Sequence, residues 1–480
     1  ATVIPVSPLK PPAHVEDYLR ADYLHPEAVQ AQGADVAERR FRAVLRRLQL
    51  PPSFTCVRYN SLHVSPAEAA SLLGSHVQQH GQVCGGEIPV LHHPQVPDIL
   101  LVPVLETRVQ QEHGLPQVVV AVECGNAVLR GAHVYVPGIL AAPKTMRAGD
   151  RVAVFVDIGG QCRRGTVKPL CGPVLFVGNG VARLSRAQIF LKDGVTSGIG
   201  VSMTEPLYFS PSFENLPPSI FFPQNLPCVL AGHVLDVRPG LRVLDMCAAP
   251  GGKTTHIATL MGDTGEIIAL DKTAAKVQKI QNNASRLNLK SIQTFCCDST
   301  QAIASGPHTG KGLLWWVGHP PFPEEYFDRV LLDAPCSALG KRPCLGFPAS
   351  LRQLQSYAPL QRKLLAAAVA LLRPGGVLLY TTCSVASAEN ERQVAWALRT
   401  FPQLHLVAQE PHLGGQGLPG AGLDPQHLRL LQRFDPGSET EDGVCGVSTT
   451  PRAPHNLDRA ITDTIGFFMA KFTKLPISPQ

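Results

Sequence analysis

The chain has 480 residues, 44% hydrophobic and 17% charged, with a net charge of +6. Such a length exceeds one ordinary core and predicts two or three domains, while no uninterrupted apolar run reaches membrane-spanning length. The 13 cysteines are odd in number and lack the paired spacing of a metal site, which predicts free thiols, no metal and a protein of the cytosol or nucleus, taken as cytoplasmic. At the start, Ala1-Thr2-Val3-Ile4-Pro5 shows none of the basic-then-apolar pattern of a signal or transit peptide.

Residues 1–115 mix helical and extended patterns. Val36, Phe41, Val44, Leu45 and Leu48 recur at three-to-four spacing, predicting a helix over 34–50 that ends at Pro51-Pro52. Nothing there carries chemistry. Over 116–207 the texture changes to short β-rich runs broken by glycine, at 118–122, 132–135, 151–156 and 174–177, which predicts a small barrel or sandwich. Between Pro116 and Thr204 stand 10 Lys or Arg against 4 Asp or Glu, an excess equal to that of the whole chain. Such a surface suits a phosphate backbone, and equally an arginine-rich solvated face.

From Val237 strands alternate with helical stretches, predicting a doubly wound α/β parallel sheet within 208–480. Strands are expected at 242–245, 266–271, 292–295, 329–332 and 377–380, with a helix carrying Val277, Ile280, Ala284 and Leu287. The stretch 304–325, which contains Trp315-Trp316, reads as a surface loop or insertion, and 414–425 and 436–454 read as loops.

Chemistry concentrates at three places. Asp245-Met246-Cys247-Ala248-Ala249-Pro250-Gly251-Gly252-Lys253-Thr254 is an acidic strand end followed by a glycine-rich turn opening a helix, where backbone N–H groups approach a cofactor unobstructed. Asp271, ending the next strand, suits two ribose hydroxyls, and Asp298, after the third, suits an adenine amino group. Each aspartate alone is more often a turn or cap residue; in this order they form a cofactor set. Neither G-x-G-x-x-G nor a phosphate loop of the G-x-x-x-x-G-K-[ST] type is present. Lys253 is either a solvated helix residue or an ammonium turned into the pocket.

The other two places are Asp333-Ala334-Pro335-Cys336 and Thr381-Thr382-Cys383-Ser384, both just past carboxyl ends of expected strands. Two thiols beside a cofactor loop suit methylation of cytosine at C5. That carbon becomes nucleophilic only when a thiolate adds to C6, and a second group must then remove the C5 proton. Asp333 suits the ring N3 and exocyclic amine, and in protonated form it would feed N3 a proton. Spacing does not say which thiol attacks, and either alone is more often a buried core residue.

The stretch Asp245–Ala258, Asp333–Ser337, Arg373-Pro374-Gly375-Gly376 through Tyr380–Ser384, Glu389-Asn390-Glu391 and Ile465–Phe472 together resemble the Sun-domain RNA cytosine-5 methyltransferases, from about Tyr208 to Phe472. The resemblance implies a Rossmann-like domain that binds S-adenosyl-L-methionine through Cys247, Ala248, Ala249, Pro250, Gly251, Gly252, Lys253, Asp271, Asp298 and Asp333. It also implies Cys383 as nucleophile, Cys336 in product release, and Lys253 and Asp333 as catalytic lysine and base-holding aspartate. Two departures stand out: Ala338 occupies the position where the family usually has glycine after Pro-Cys-Ser, and 304–325 is insertion-like.

Cys124–Gly138, with Ala148-Gly149-Asp150 and Gly178-Asn179-Gly180, resembles a PUA domain, a small β-barrel that binds structured RNA. A barrel of this kind inserted in or following an N-terminal α+β region resembles the tRNA-directed branch of the family. This implies action near the acceptor end of tRNA, away from membranes, with Arg130, Tyr135, Arg163 and Arg164 contacting the 3′ CCA end; a monomer is only the default expectation. The implied organisation is an RNA-positioning region (1–115), a PUA domain (116–207) and a catalytic domain (208–480). Competing readings are methylation of ribosomal, messenger or other structured RNA, and a non-catalytic RNA-binding scaffold; the intact set of reactive groups argues against the scaffold.

Overall fold

The computed structural model describes residues 3–4, 11–81, 88–107, 109–167, 172–191, 193–211, 213, 215–304, 318–348, 350–436 and 463–476. Its largest sheet is built from β1 (Arg242–Asp245), β2 (Glu266–Asp271), β3 (Ile292–Cys296), β4 (Phe327–Asp333), β5 (Leu372–Thr382), β6 (Leu404–Leu406), β7 (Gln432–Phe434) and β8 (Phe467–Lys474). The strand order is β3-β2-β1-β4-β5-β8-β6, with β7 also paired to β8. The first five are mutually parallel, and β8 runs antiparallel to β5. Strands β1 and β2 are buried over nearly their whole length, so they read as apolar runs rather than alternating ones.

Helices α1 (Gly252–Leu260), α2 (Ala274–Arg286), α3 (Leu351–Leu371) and α4 (Glu391–Thr400) flank this sheet. On one face Leu364, Leu365, Ala368 and Leu371 of α3 pack with Val330, Leu332 and Tyr380. On the other, Ile257 and Ala258 of α1 pack with Val243, Ile267 and Leu331. Helix α2 buries Val277, Ile280 and Ala284 at the expected spacing, and Leu287 is its C-cap. The chain leaves β1 toward β2 and β3 on one side and returns to β4 and β5 on the other. The crevice past the carboxyl ends of β1 and β4 is therefore the topological switch point, where open α/β sheets bind ligands.

The expected N-terminal helix spans Ala34–Leu48 and buries Ala37, Phe41, Val44 and Leu48. Ala37 takes the inward place expected for Val36, which is 38% exposed, and Leu45 is half-buried. With the helix Ala13–Tyr23, this layer packs against Leu339, Val385 and Ala386, residues that closely follow the two site cysteines. A second sheet has the order Phe221–Pro223, Phe54–Tyr59, Ile99–Pro103, Leu91–His92. It pairs chain from before and after the basic segment, so that segment is an insertion into one α+β unit.

Within the insertion, strands Gln117–Val120, Val134–Tyr135, Ile139–Ala141, Arg151–Asp157, Val174–Ala182 and Ile199–Pro206 form one sheet, which Val3–Ile4 joins. Val118, Val134, Val154, Leu175 and Val201 meet in its main core, and Phe155 and Phe176 pack in a separate cluster. A helix, Val122–Val128, begins where the sequence pattern continues the first strand. Seven residues make too short a stretch for helical periodicity to register. Trp315-Trp316, most of the expected 304–325 loop, and 437–454 lie outside the described residues. Among the described residues, no helix is long and apolar enough to cross a membrane.

Candidate active site

Parallel pairing of β4 and β5 aligns Asp333 with Thr381, so the two cysteine loops leave the sheet side by side. Cys336 and Cys383 Sγ atoms lie 3.4 Å apart. Lys253, one residue into α1, donates from Nζ to Asp333 Oδ2 at 2.7 Å, and Thr381 Oγ1 donates to Asp333 Oδ1 at 2.7 Å. Burial alone would lower the Lys253 pKa, but the Asp333 carboxylate overrides it and raises it above the ordinary value. Lys253 therefore stands as an ammonium held against Asp333.

The environment separates the two thiols that spacing leaves equivalent. The hydrogen bond from Cys336 lowers the Cys383 pKa against burial and the Asp333 charge, and Lys341 and Lys253 act in the same direction. That same bond, burial and the Glu389 carboxylate raise Cys336 well above its ordinary value. Cys383 is thus the sulfur favoured as thiolate, and Cys336 the one held as thiol.

Glu389 is a site residue to which sequence reasoning gave no role. It is fully buried. Its Oε1 accepts from Ser384 Oγ at 2.8 Å and Ser337 Oγ at 2.5 Å, and its Oε2 accepts from the Ser337 N–H at 2.8 Å and Gln361 Nε2 at 3.3 Å. Ser337 follows Cys336 and Ser384 follows Cys383, so one carboxylate fixes both loops. The only signal for it in the sequence was its place in Glu389-Asn390-Glu391, shortly after Cys383. Gly340 closes the arrangement by donating its N–H to the Cys383 carbonyl at 2.9 Å. A Cβ at Gly340 would lie 2.1 Å from the Gly466 carbonyl oxygen, so only glycine fits. Ala338 has φ +59°, a left-handed conformation that costs a residue with a Cβ roughly 1–2 kcal/mol. That is the physical meaning of the expected glycine.

At the glycine-rich loop, Gly251 has φ +101° and turns the chain into α1, whose N-terminus carries no side-chain cap. Asp245 accepts from Thr254 Oγ1 at 2.7 Å through Oδ2, while its buried Oδ1 has no hydrogen-bond partner among the described residues. Asp271 accepts the Ala249 N–H at 3.2 Å and the Lys272 N–H at 2.8 Å, so it also ties the loop to β2. Asp298 pairs with Lys272 Nζ at 2.9 Å and accepts from Thr300. Half-buried Cys247 is held neutral by burial and the surrounding aspartates. Acids at the ends of β1 and β2 and just past β3, one with an unpartnered buried oxygen, fit a ligand carrying an ammonium, a ribose and an adenine, and the uncapped helix N-terminus fits that ligand's carboxylate.

The four residues expected to contact RNA all lie in the insertion. Arg130 is exposed and lines, with Arg286, Phe213 and Phe221, a cleft of about 360 Å³. Tyr135 is 38% exposed, and Arg163 is exposed. Arg164 Nη1 donates to the carbonyls of Val136, Pro137 and Ile139 at 3.1, 3.3 and 2.8 Å, so this nitrogen braces that turn of the insertion. Asp98, His233 and His256, which the sequence did not single out, form a clasp between the second sheet and the catalytic helices. Asp98 accepts from the two Nε2 atoms at 2.8 and 2.6 Å, and burial pushes His256 down to about 4.

The family model described as 16S rRNA methyltransferase RsmB/F matches residues 232–445. The mouse (Mus musculus) protein named tRNA (cytosine(72)-C(5))-methyltransferase NSUN6 is 50% identical over 98% of this chain and 97% of its own length. The human (Homo sapiens) protein of the same name is 47% identical over 98% and 99%. The chain belongs to the Sun-domain family of RNA cytosine-5 methyltransferases. A crystal structure described as NSun6 from Pyrococcus horikoshii with SFG superposes with a TM-score of 0.71 at 28% identity, covering 97% of this chain and 99% of that one. SFG is an analogue of S-adenosylmethionine, the cofactor of this methyltransferase family, and the loop and acids described above fit that cofactor. The chain is accordingly an enzyme with the α/β fold of the S-adenosylmethionine-dependent methyltransferases.

Proposed function

We propose that the enzyme methylates C5 of cytosine 72 in tRNA, near the acceptor end, through a covalent bond between Cys383 and C6. The observation that carries this reading is the Cys383–Cys336 contact at 3.4 Å beside the Lys253–Asp333 ion pair, in the crevice where the cofactor loop opens. The mouse and human relatives, both matched over nearly their full length, supply the base. S-adenosylmethionine contributes an electrophilic methyl group. Cys383 adds as thiolate to C6, and Asp333 holds N3 and the exocyclic amine. The proton N3 gains has a source in Lys253, relayed through Asp333. Cys336, whose sulfur lies beside Cys383, takes up the C5 proton as a thiolate once its own proton has passed to water, and the electrons released expel Cys383 from C6 as thiolate.

The reading includes 116–207 as a PUA domain that holds the 3′ CCA end through Arg130, Tyr135 and Arg163, with Arg164 shaping the barrel beneath them. Residues 1–115 position the RNA and 208–480 catalyse, the two sharing the sheet of Phe54–Tyr59 and Phe221–Pro223. The base reaches the thiols by leaving its stack. The cysteines among the described residues are free, which supports a cytoplasmic protein, and it acts as a monomer. Denaturing gels of tRNA with each cysteine variant test the mechanism. Cys383→Ala should give neither methyl transfer nor adduct, and Cys336→Ala should accumulate a covalent RNA adduct. Equal adduct yields from both variants would overturn this division of roles.

A further inference from the structure

We propose that the segment Leu339–Phe347, directly after the Cys336 loop, is a strut that sets the reacting thiols relative to RNA held by the barrel, with Leu345 and Asn126 as its positioning residues. The inference rests on the barrel being the reader of the RNA 3′ end. At the near end of the segment, Gly340 donates to the Cys383 carbonyl at 2.9 Å and accepts from the Gly466 N–H at 2.7 Å. At its middle, Arg342 is a fully buried guanidinium that donates to the carbonyls of Arg47 at 2.7 Å, Leu50 at 3.0 Å and Thr464 at 2.8 Å, and pairs with Asp463. A buried guanidinium is tolerable only when its donors are met, so this point of the segment has one position. The Cys344 N–H is also bound, by the Leu48 carbonyl at 2.7 Å.

At the far end the segment leaves the catalytic unit. Leu345 is buried in the core of the barrel, and its N–H donates to Asn126 Oδ1 at 3.0 Å. A Cβ on Gly346 would lie 2.8 Å from Val122 Cγ1, so backbone and barrel are in close contact there. Val122 and Asn126 belong to the helix Val122–Val128, which leads directly to Arg130. A side chain lent by one domain to the core of another serves neither domain's chemistry. It does make the distance from Arg130 to Cys383 a property of continuous packed contacts instead of a loose hinge.

Single-turnover methyl transfer, with RNA binding measured in parallel, tests the strut on tRNA with and without its 3′ CCA end. Wild-type enzyme should transfer faster to the intact RNA. In Leu345→Ala and Asn126→Ala that advantage should shrink by about fivefold or more, while transfer to the truncated RNA and the Kd for intact RNA stay within about twofold. Leu345→Met should restore the advantage. A merely structural loss would lower both rates together. Asn126→Ala removes one hydrogen bond and carries the test if Leu345→Ala fails to fold. Variants that keep the full advantage, or lower both rates in proportion, overturn the strut alone; a wild-type enzyme indifferent to the CCA end overturns the barrel reading and the strut with it.

Discussion

Asp245→Asn should stabilise the fold in neutral and alkaline solution while weakening cofactor binding. Asp245 is buried, with one oxygen held by Thr254 and the other unpartnered among the described residues. Burial pushes its pKa from 3.8 up to about 7; the Thr254 hydrogen bond, Lys253 and the nearby Cys247 N–H oppose the shift, and Asp333 adds to it. Between about pH 4 and pH 7 the folded chain keeps a proton that the unfolded chain has released. Stability therefore falls as pH rises through that window and is level above it. At 1.36 kcal/mol per pH unit the full penalty is about 4 kcal/mol, and roughly half of that if water partly relaxes the site. Asparagine is neutral in both states, and its amide sits where the O–H of the neutral acid would. Thermal unfolding of both proteins at pH 5 and pH 8 measures the difference. The variant should melt several degrees higher at pH 8, with a gap less than half as large at pH 5. A gap of equal size at both pH values, or a wild type that is the more stable at pH 8, would refute the reasoning. Titration calorimetry at pH 8, where folded Asp245 is ionised, should show weaker S-adenosylmethionine binding by the variant, because the carboxylate is then the charge available to the cofactor's cation.

Ala338→Gly should relieve left-handed strain and shift the denaturant midpoint toward about 1 kcal/mol of added stability, with activity kept, since no reactive group changes. Glu389→Ala leaves the Ser337 N–H, two hydroxyls and the Gln361 amide without their acceptor. It should cost about 3 kcal/mol and lower kcat at least tenfold with little change in KM for RNA, as steady-state kinetics would show. An unchanged kcat would mean the two cysteine loops do not depend on that carboxylate.

The catalytic sheet was legible because its strands are buried runs separated by helical periods; Arg242–Asp245 and Glu266–Asp271 lie where the pattern places them. The cofactor loop and both cysteines were legible as motifs, and strand adjacency then explains how residues 47 apart come to 3.4 Å. Less was visible where tertiary contacts decide. Strand β8 was recognisable only as a family ending, since its burial on both faces removes the alternation that marks a strand. Glu389 reads as an ordinary acid until Ser337, Ser384 and Gln361 converge on it. Arg164 counts as basic surface in sequence, yet the carbonyls of Val136, Pro137 and Ile139 take its Nη1. Leu345 gave no signal at all, because its core belongs to another part of the chain.

The most direct measurement is transfer of labelled methyl from S-adenosylmethionine to tRNA transcripts carrying either cytosine or uridine at position 72, followed by digestion to nucleosides and chromatography. The account predicts label in 5-methylcytidine from the cytosine transcript, none from the uridine transcript, and none from either with Cys383→Ala. Label in another nucleoside, or undiminished 5-methylcytidine from the Cys383→Ala enzyme, would contradict it.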